Sequence, residues 1–164
     1  MSGTSMDGID MSIIKTNGLE VKEKGKNFYF RYSKLFRLKL HDFINNFNIK
    51  RVNERNFKDI NKIFSEINAK AIKKIISKSK VDLIGFHGQT IYHNPRMKKS
   101  LQLGDINFFF KKFSIPIIYN FRENDLEHDG QGAPLAPIYH RNLMEKYNFE
   151  LPSIFLNPIS CDRK

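Results

Sequence analysis

Between Phe57 and Ile76 the apolar residues Phe57, Ile60, Ile63, Phe64, Ile67, Ala71, Ile72, Ile75 and Ile76 recur at helical spacing, with lysines on the opposite side. At 3.6 residues per turn the stripe holds for about six turns. A helix of this kind lies on a membrane surface or buries its stripe against a sheet. The run Val81-Asp82-Leu83-Ile84-Gly85-Phe86 follows at once and reads as a strand, which favours burial against a sheet.

The flanking sequence extends that pattern. Ile9, Met11, Ile13 and Ile14 lead to Asn17-Gly18, the pair best suited to a tight hairpin because both residues tolerate positive φ. Leu19-Glu20-Val21-Lys22 then returns as a second strand. After Lys24-Gly25-Lys26, the aromatic run from Phe28 to Tyr32 reads as a third. Leu35, Leu38, Phe43, Ile44 and Phe47 predict a helix around 34–47. Leu101-Gln102-Leu103 reads as a short strand, Ile106 to Phe113 as a helix, and Ile115 to Tyr119 as a strand with Pro116 near its start. Asn120 to Pro137 is a long polar, glycine-containing stretch, and loops of that length in compact domains usually carry function. A helix from Pro137 to Tyr147 and a strand from Ser153 to Asn157 complete the order. The expected fold is α/β, with a mixed β-sheet and flanking helices in a single domain.

Composition narrows the function classes. With 164 residues and 40% hydrophobic content the chain is long enough for one real core. The formal charge of +11 attracts polyanions, yet the basic residues are scattered and carry no nucleic-acid motif. Solvated lysine-rich faces account for them, so no nucleic-acid partner is expected, although an anionic nucleotide would benefit from the positive field. Cys161 is the only cysteine, which fits a reducing compartment. No apolar run is long enough to span a bilayer, and no secretory pattern opens the chain, so no membrane partner is expected and the cytoplasm is the expected location.

Four polar clusters carry chemistry. Ser2-Gly3-Thr4-Ser5 with Asp7-Gly8 can form a phosphate-binding turn, since glycines admit phosphate oxygens to backbone N–H groups and the hydroxyls add donors. Asp7 or Asp10 can hold magnesium through water. The same residue types also make ordinary turns. His87-Gly88-Gln89-Thr90, with His93 and Pro95, offers the paired donors and acceptors that sugar hydroxyls and an acetamido group require. In Gln102-Leu103-Gly104-Asp105, Asp105 can cap the next helix or accept from a ligand. In the fourth cluster Arg122 can fork onto a carboxylate such as a lactyl group, or pair with Glu123 or Asp125. Gly130-Gln131-Gly132 places one amide inside a tightly turned loop.

In order and spacing these motifs resemble the anhydro-N-acetylmuramic acid kinase family. The matching strings are Ser2-Gly3-Thr4-Ser5-x-Asp7-Gly8-x-Asp10, Gly85-x-His87-Gly88-Gln89-Thr90-x-x-His93-x-Pro95, Gln102-x-Gly104-Asp105, Phe121-Arg122-x-x-Asp125, and Gly130-Gln131-Gly132-Ala133-Pro134-Leu135-x-Pro137. The resemblance runs from Met1 to about Asn157. It implies the first domain of a sugar-kinase/actin-type (ribonuclease H-like) fold over 1–157, incomplete, with a divergent tail over 158–164 and no second domain. It implies ATP and Mg2+ as cofactors and 1,6-anhydro-N-acetylmuramic acid as substrate. Gly3, Thr4, Ser5, Met6, Asp7, Gly8, Ile9 and Asp10 would line the ATP phosphates. His87, Gln89, Thr90, Asp105, Arg122, Asp125 and Gln131 would face the sugar. In the implied reaction water attacks the anomeric carbon while O6 takes the γ-phosphoryl group, giving N-acetylmuramic acid 6-phosphate for cell-wall recycling. A family-like homodimer is a further implication.

The sequence departs from the family pattern in places. The family's base is an aspartate in an Asp-Thr-Gly-Pro segment that this sequence does not contain, so no catalytic base is expected among its residues. The family also has a strand before the Met1 position and a Gly-Gly turn where this chain reads Pro158 to Lys164. A frameshift or early stop, together with a late start, is the expected cause. The isolated chain is expected to lack turnover, to act at most as a sugar- or nucleotide-binding fragment, and to be marginally stable because of exposed apolar edges. Asp129 stands where the family usually has glycine.

Overall fold

Asn17 and Gly18 turn the chain back as their types require, with Gly18 at φ 92. The Thr16 hydroxyl accepts from Gly18 N at 3.0 Å, and the Asn17 side chain accepts from Glu20 N at 2.8 Å. This turn joins β1 (Gly8–Thr16) to β2 (Val21–Arg31), paired antiparallel from Gly8 opposite Arg31 to Thr16 opposite Val21. The returning chain is one strand, not the expected two. The break anticipated at Lys24-Gly25-Lys26 is a register irregularity instead, where a Cβ on Gly25 would lie 2.8 Å from the Ile13 carbonyl oxygen. Glycine lets β2 slip past that point without ending. The structure, a computed structural model, describes residues 3, 5–18 and 20–150, and the strand expected over 153–157, the tail and Cys161 lie outside them.

Two helices follow with polar caps. Ser33 accepts from Phe36 N at the start of α1 (Lys34–Asn45), and Asn53 accepts from Asn56 N at the start of α2 (Glu54–Ile76). Glu54 in the first turn of α2 and Lys73 and Lys74 in its last complement the helix dipole. The α2 stripe is buried, as its spacing predicts. Ile60, Phe64 and Ala71 join Phe36 and Leu40 of α1, Ile9 of β1, and Tyr32 in one core that also takes Ile91 and Leu103. Tyr32 meets Phe36 edge-on at a centroid distance of 5.0 Å.

The second half is less regular. β3 (Ile84–Gly85) pairs in parallel with β6 (Ile117–Ile118), so the strands expected over 81–86 and 115–119 shrink to two residues each. Pro116 has no N–H to donate, and its carbonyl instead accepts from Ile84 N. Between them, β4 (Gln89–Asn94) and β5 (Lys99–Leu103) form an antiparallel hairpin around a 3-10 turn at Pro95–Met97. The reading of 87–90 as a polar strand end missed β4, because Gln89, Thr90, His93 and Asn94 hide its alternation. Ile91 and Tyr92 are its only apolar residues, and as neighbours on opposite faces they cannot show a period of two.

α3 (Ile106–Phe113) forms as predicted. α4 (Glu123–Glu127) interrupts the stretch expected to be all loop, and α5 (Ala136–Tyr147) follows. In place of one mixed sheet, the described residues hold three separate two-stranded pairs, β1–β2, β3–β6 and β4–β5. β1 and the β4–β5 pair meet through the core side chains Ile9, Ile91 and Leu103 around α2, not through ladder hydrogen bonds. The most exposed apolar side chains, Leu35 at 79% and Ile138 at 68%, lie on helices, not on the sheet edges anticipated from the sequence.

Candidate functional site

The opening motif divides into a turn and a strand. Met6 N donates to Gly3 O at 3.2 Å with Met6 at φ 50, and from Gly8 onward the main chain is in the β1–β2 ladder. Ile9 is 2% exposed and belongs to the core, so its side chain faces away from any phosphate. Thr4 lies outside the described residues. Gly8 is required by crowding, since a Cβ there would sit 2.6 Å from both the Phe30 carbonyl oxygen and the Tyr29 ring.

Asp7 is the organising charge of this turn. The Ser5 hydroxyl donates to its Oδ1 at 2.6 Å, and that bond holds the carboxyl below its ordinary range against the opposing effect of partial burial. The Tyr29 hydroxyl and the Arg37 charge act in the same direction, and Arg37 Nη2 donates to Ser5 O at 3.3 Å. Tyr29 is pushed up in turn, first by burial and then by the charges of Asp7 and Asp10. Asp10 pairs with Tyr29 in the ladder and is exposed. Two carboxylates flanking one phenol suit a hard cation held through water. Among the described residues no group of three or more His, Cys, Asp or Glu side chains forms an all-protein metal cage.

Three of the polar motifs meet at Arg122. Its Nη1 donates to Gly132 O at 2.8 Å, and its Nη2 lies 3.0 Å from His87 Nε2. Neither Glu123 nor Asp125 is its partner in these bonds. Asp125 Oδ2 instead accepts from Gly132 N at 2.6 Å. Gly130 N donates to Asp125 O at 2.7 Å, and a Cβ on Gly130 would overlap the Asp125 carboxylate. Gln131 between the two glycines is exposed.

A guanidinium only donates, so His87 Nε2 accepts and the ring is neutral with its proton on Nδ1. That proton points to Gly88 O at 2.9 Å. Burial first, and the Arg122 charge as well, lower the His87 pKa, while the bond to Gly88 raises it. Desolvation also lowers Arg122. Gly88 takes φ 73, where a Cβ would overlap the Leu103 carbonyl oxygen, so its close approach serves β5. Gln89 is buried at 4% exposure, and its Nε2 donates to Thr90 O at 3.3 Å. The Thr90 hydroxyl accepts from Gln102 Nε2 at 3.5 Å.

Asp105 is the N-cap of α3, accepting from Phe108 N at 2.9 Å. Two residues not singled out in the sequence hold it in place. Asp105 N donates to the buried Ser65 hydroxyl at 2.8 Å, and Gly104 N donates to Asn61 Oδ1 at 2.7 Å. Asn61, Ser65 and Asn68 stand three and four residues apart, one polar row beside the apolar stripe of α2. That row was the available signal. A 190 Å³ cavity lined by Tyr92, Lys98, Ser100, Gln102, Asn120 and Arg122, among others, adjoins the hairpin.

A profile of the anhydro-N-acetylmuramic acid kinase family matches residues 1–158. The chain belongs to the anhydro-N-acetylmuramic acid kinase family. It is 41% identical over 162 residues to a protein of that name from Pelagibacter ubique, covering 96% of this chain and 43% of the relative. It is 33% identical to one from Bradyrhizobium diazoefficiens and 34% identical to one from Agrobacterium fabrum, in each case over 96% of this chain and 45% of the relative. The chain therefore spans less than half the length of the anhydro-N-acetylmuramic acid kinases it matches. Among its described residues no helix is long and apolar enough to cross a membrane.

Proposed function

We propose that this chain forms the phosphate- and sugar-binding part of an ATP-dependent kinase that converts 1,6-anhydro-N-acetylmuramic acid to N-acetylmuramic acid 6-phosphate. Membership of the family supports the reaction. The observation that carries the site is the meeting of three separate motifs at one point, with Arg122 bonded to both His87 and Gly132. Separate loops tied at one place are what a polar ligand of many hydroxyls requires.

In this reading Gly3, Thr4, Ser5, Met6, Asp7, Gly8, Ile9 and Asp10 lie along the ATP phosphates. Asp7 and Asp10 hold magnesium through water, and the ion supplies charge neutralisation to the phosphates. The ionised state of Asp7 supports that role. Gln89, Thr90 and Gln131 offer neutral donors and acceptors to the sugar, with His87, Asp105, Arg122 and Asp125 around them. The fold belongs with the first domain of sugar kinases. The reading extends to a cytoplasmic location and a homodimer.

Because the chain spans less than half of its relatives, binding is the first measurement. Titration calorimetry of the purified chain with MgATP and, separately, with the anhydro sugar should show saturable binding of each. A 31P spectrum of the mixture reports any sugar 6-phosphate formed. Absence of binding to both ligands would overturn the proposal.

A further inference from the structure

The opening turn is held from the start of α1. Tyr32 N donates to Asp7 O at 2.9 Å, and Arg37 Nη2 donates to Ser5 O at 3.3 Å across 32 positions of sequence. The base of Arg37 is fixed. Ser33 caps the helix at Phe36 N, and Arg37 N donates to Ser33 O at 2.9 Å. Tyr32, Phe36 and Leu40 on the neighbouring face are buried in the core. α1 thus brings a guanidinium to the turn from a rigid anchor.

The bond to Ser5 engages little of Arg37. A guanidinium carries five N–H groups, and this carbonyl takes one. Among the described residues the side chain makes no other hydrogen bond and no ion pair with a carboxylate, and it is exposed. Its charge reaches the turn. The Ser5 hydroxyl does most to hold the Asp7 carboxyl down, and the Arg37 charge adds to it. A phosphate laid on this turn meets the negative charge of Asp7 and is favoured by a positive charge beside it. A guanidinium with donors to spare matches phosphate oxygens in charge and in geometry.

We propose that Arg37 is a further anion-binding residue of the opening turn, anchored through Ser5 O and offering its remaining N–H groups to the phosphates of a nucleoside triphosphate. This rests on the reading of the turn as the phosphate end of the site. A residue that only braced the turn would serve magnesium and nucleotide alike. A cation that binds phosphate favours the nucleotide and, as a like charge, opposes the bare metal ion.

Those opposite signs are the test. Arg37→Met keeps bulk and removes charge and donors, and because Arg37 is exposed the variant should keep the melting temperature of the unsubstituted chain. In calorimetric titrations at low salt it should bind MgATP about tenfold more weakly, the loss expected of a charged hydrogen bond. The loss should shrink as salt rises, since exposed charges are screened over about 10 Å at 0.1 M. Affinity for 1,6-anhydro-N-acetylmuramic acid should not change. Arg37→Lys, which keeps the charge, should recover part of the MgATP affinity. Lys39→Met is the charge control. Lys39 lies about 200° round the same helix and lines a cavity with Asp42, Asn53 and Asp59, so MgATP binding should be unaffected.

MgCl2 alone, followed by the 13C shift of the Asp7 carboxyl, supplies the second sign. Arg37→Met should bind the ion at least as tightly as the unsubstituted chain. Parallel weakening of Mg2+ and MgATP would make Arg37 a structural brace and overturn the proposal. Equal MgATP affinity in the unsubstituted chain and Arg37→Met would overturn it while leaving the phosphate reading of the turn intact. No MgATP binding by the unsubstituted chain would remove that reading and Arg37's role together.

Discussion

Arg122 Nη2 stands 3.0 Å from His87 Nε2, so a side chain that only donates fixes a ring that must accept. The bond spans two loops far apart in sequence and holds one protonation state in place. Burial, followed by the Arg122 charge, takes His87 below its ordinary 6.5. The unfolded chain therefore takes up a proton near 6.5 that the folded chain refuses. The stability due to a neutral His87 is complete above that pH and is lost as pH falls through the window below it. The urea midpoint should drop between about pH 7.5 and about pH 5.5, and drop less in His87→Gln. Equal pH dependence in the two proteins would remove His87 as the source.

Gly132→Ala should lower unfolding free energy by about 2 kcal/mol, because the left-handed φ and the Leu126 contact act together. Asp129, at φ 64, provides the contrast. Asp129→Gly relieves the same backbone strain while giving up an ion pair with Lys98 at 2.8 Å, whose Asp129 side is 84% exposed. Its net effect should stay within about 0.5 kcal/mol. Urea unfolding of the two variants side by side checks both values.

Ser65→Ala leaves Asp105 N without its acceptor and should cost about 1–2 kcal/mol. Amide exchange should accelerate at Asp105 and Phe108, the two N–H groups of this cap, and stay unchanged in β1. A uniform acceleration would indicate global destabilisation in place of a lost local bond.

Ser5→Ala removes the largest influence lowering Asp7, so its carboxyl should titrate closer to the ordinary 3.8. A 13C titration of the Asp7 carboxyl reads this directly. An unchanged midpoint would mean that Tyr29 and Arg37 hold the charge by themselves. The sign is that of a depressed carboxylate. Its stabilising interaction is complete above 3.8 and is lost as pH falls through the folded value.

The helices were legible because their signals are local and redundant. The α2 stripe and the Asn17-Gly18 turn each depend on residues close together in sequence. β4 was not legible, because polar side chains interrupt the alternation that marks a strand. The site's residue types were visible, but their partners were not. Nothing near Arg122 in sequence indicates that it passes over Glu123 and Asp125 to reach Gly132 and His87. Asn61 and Ser65 went unread in the sequence, although they anchor the loop that begins α3.

β1 and β2 are joined by a turn of four residues, 17–20, whereas β3 finds β6 only after the β4–β5 hairpin and α3 have intervened. Hairpin closure takes about 1–10 μs, and non-local pairing waits on the entropy of closing a long loop. The ladder that carries Asp10 and Tyr29, next to Asp7, can thus assemble early and by itself. The contact between His87 and Arg122 requires the later closure. The two halves of the site are built on different clocks, and a nascent chain can shape the turn around Asp7 before the contact at Arg122 exists.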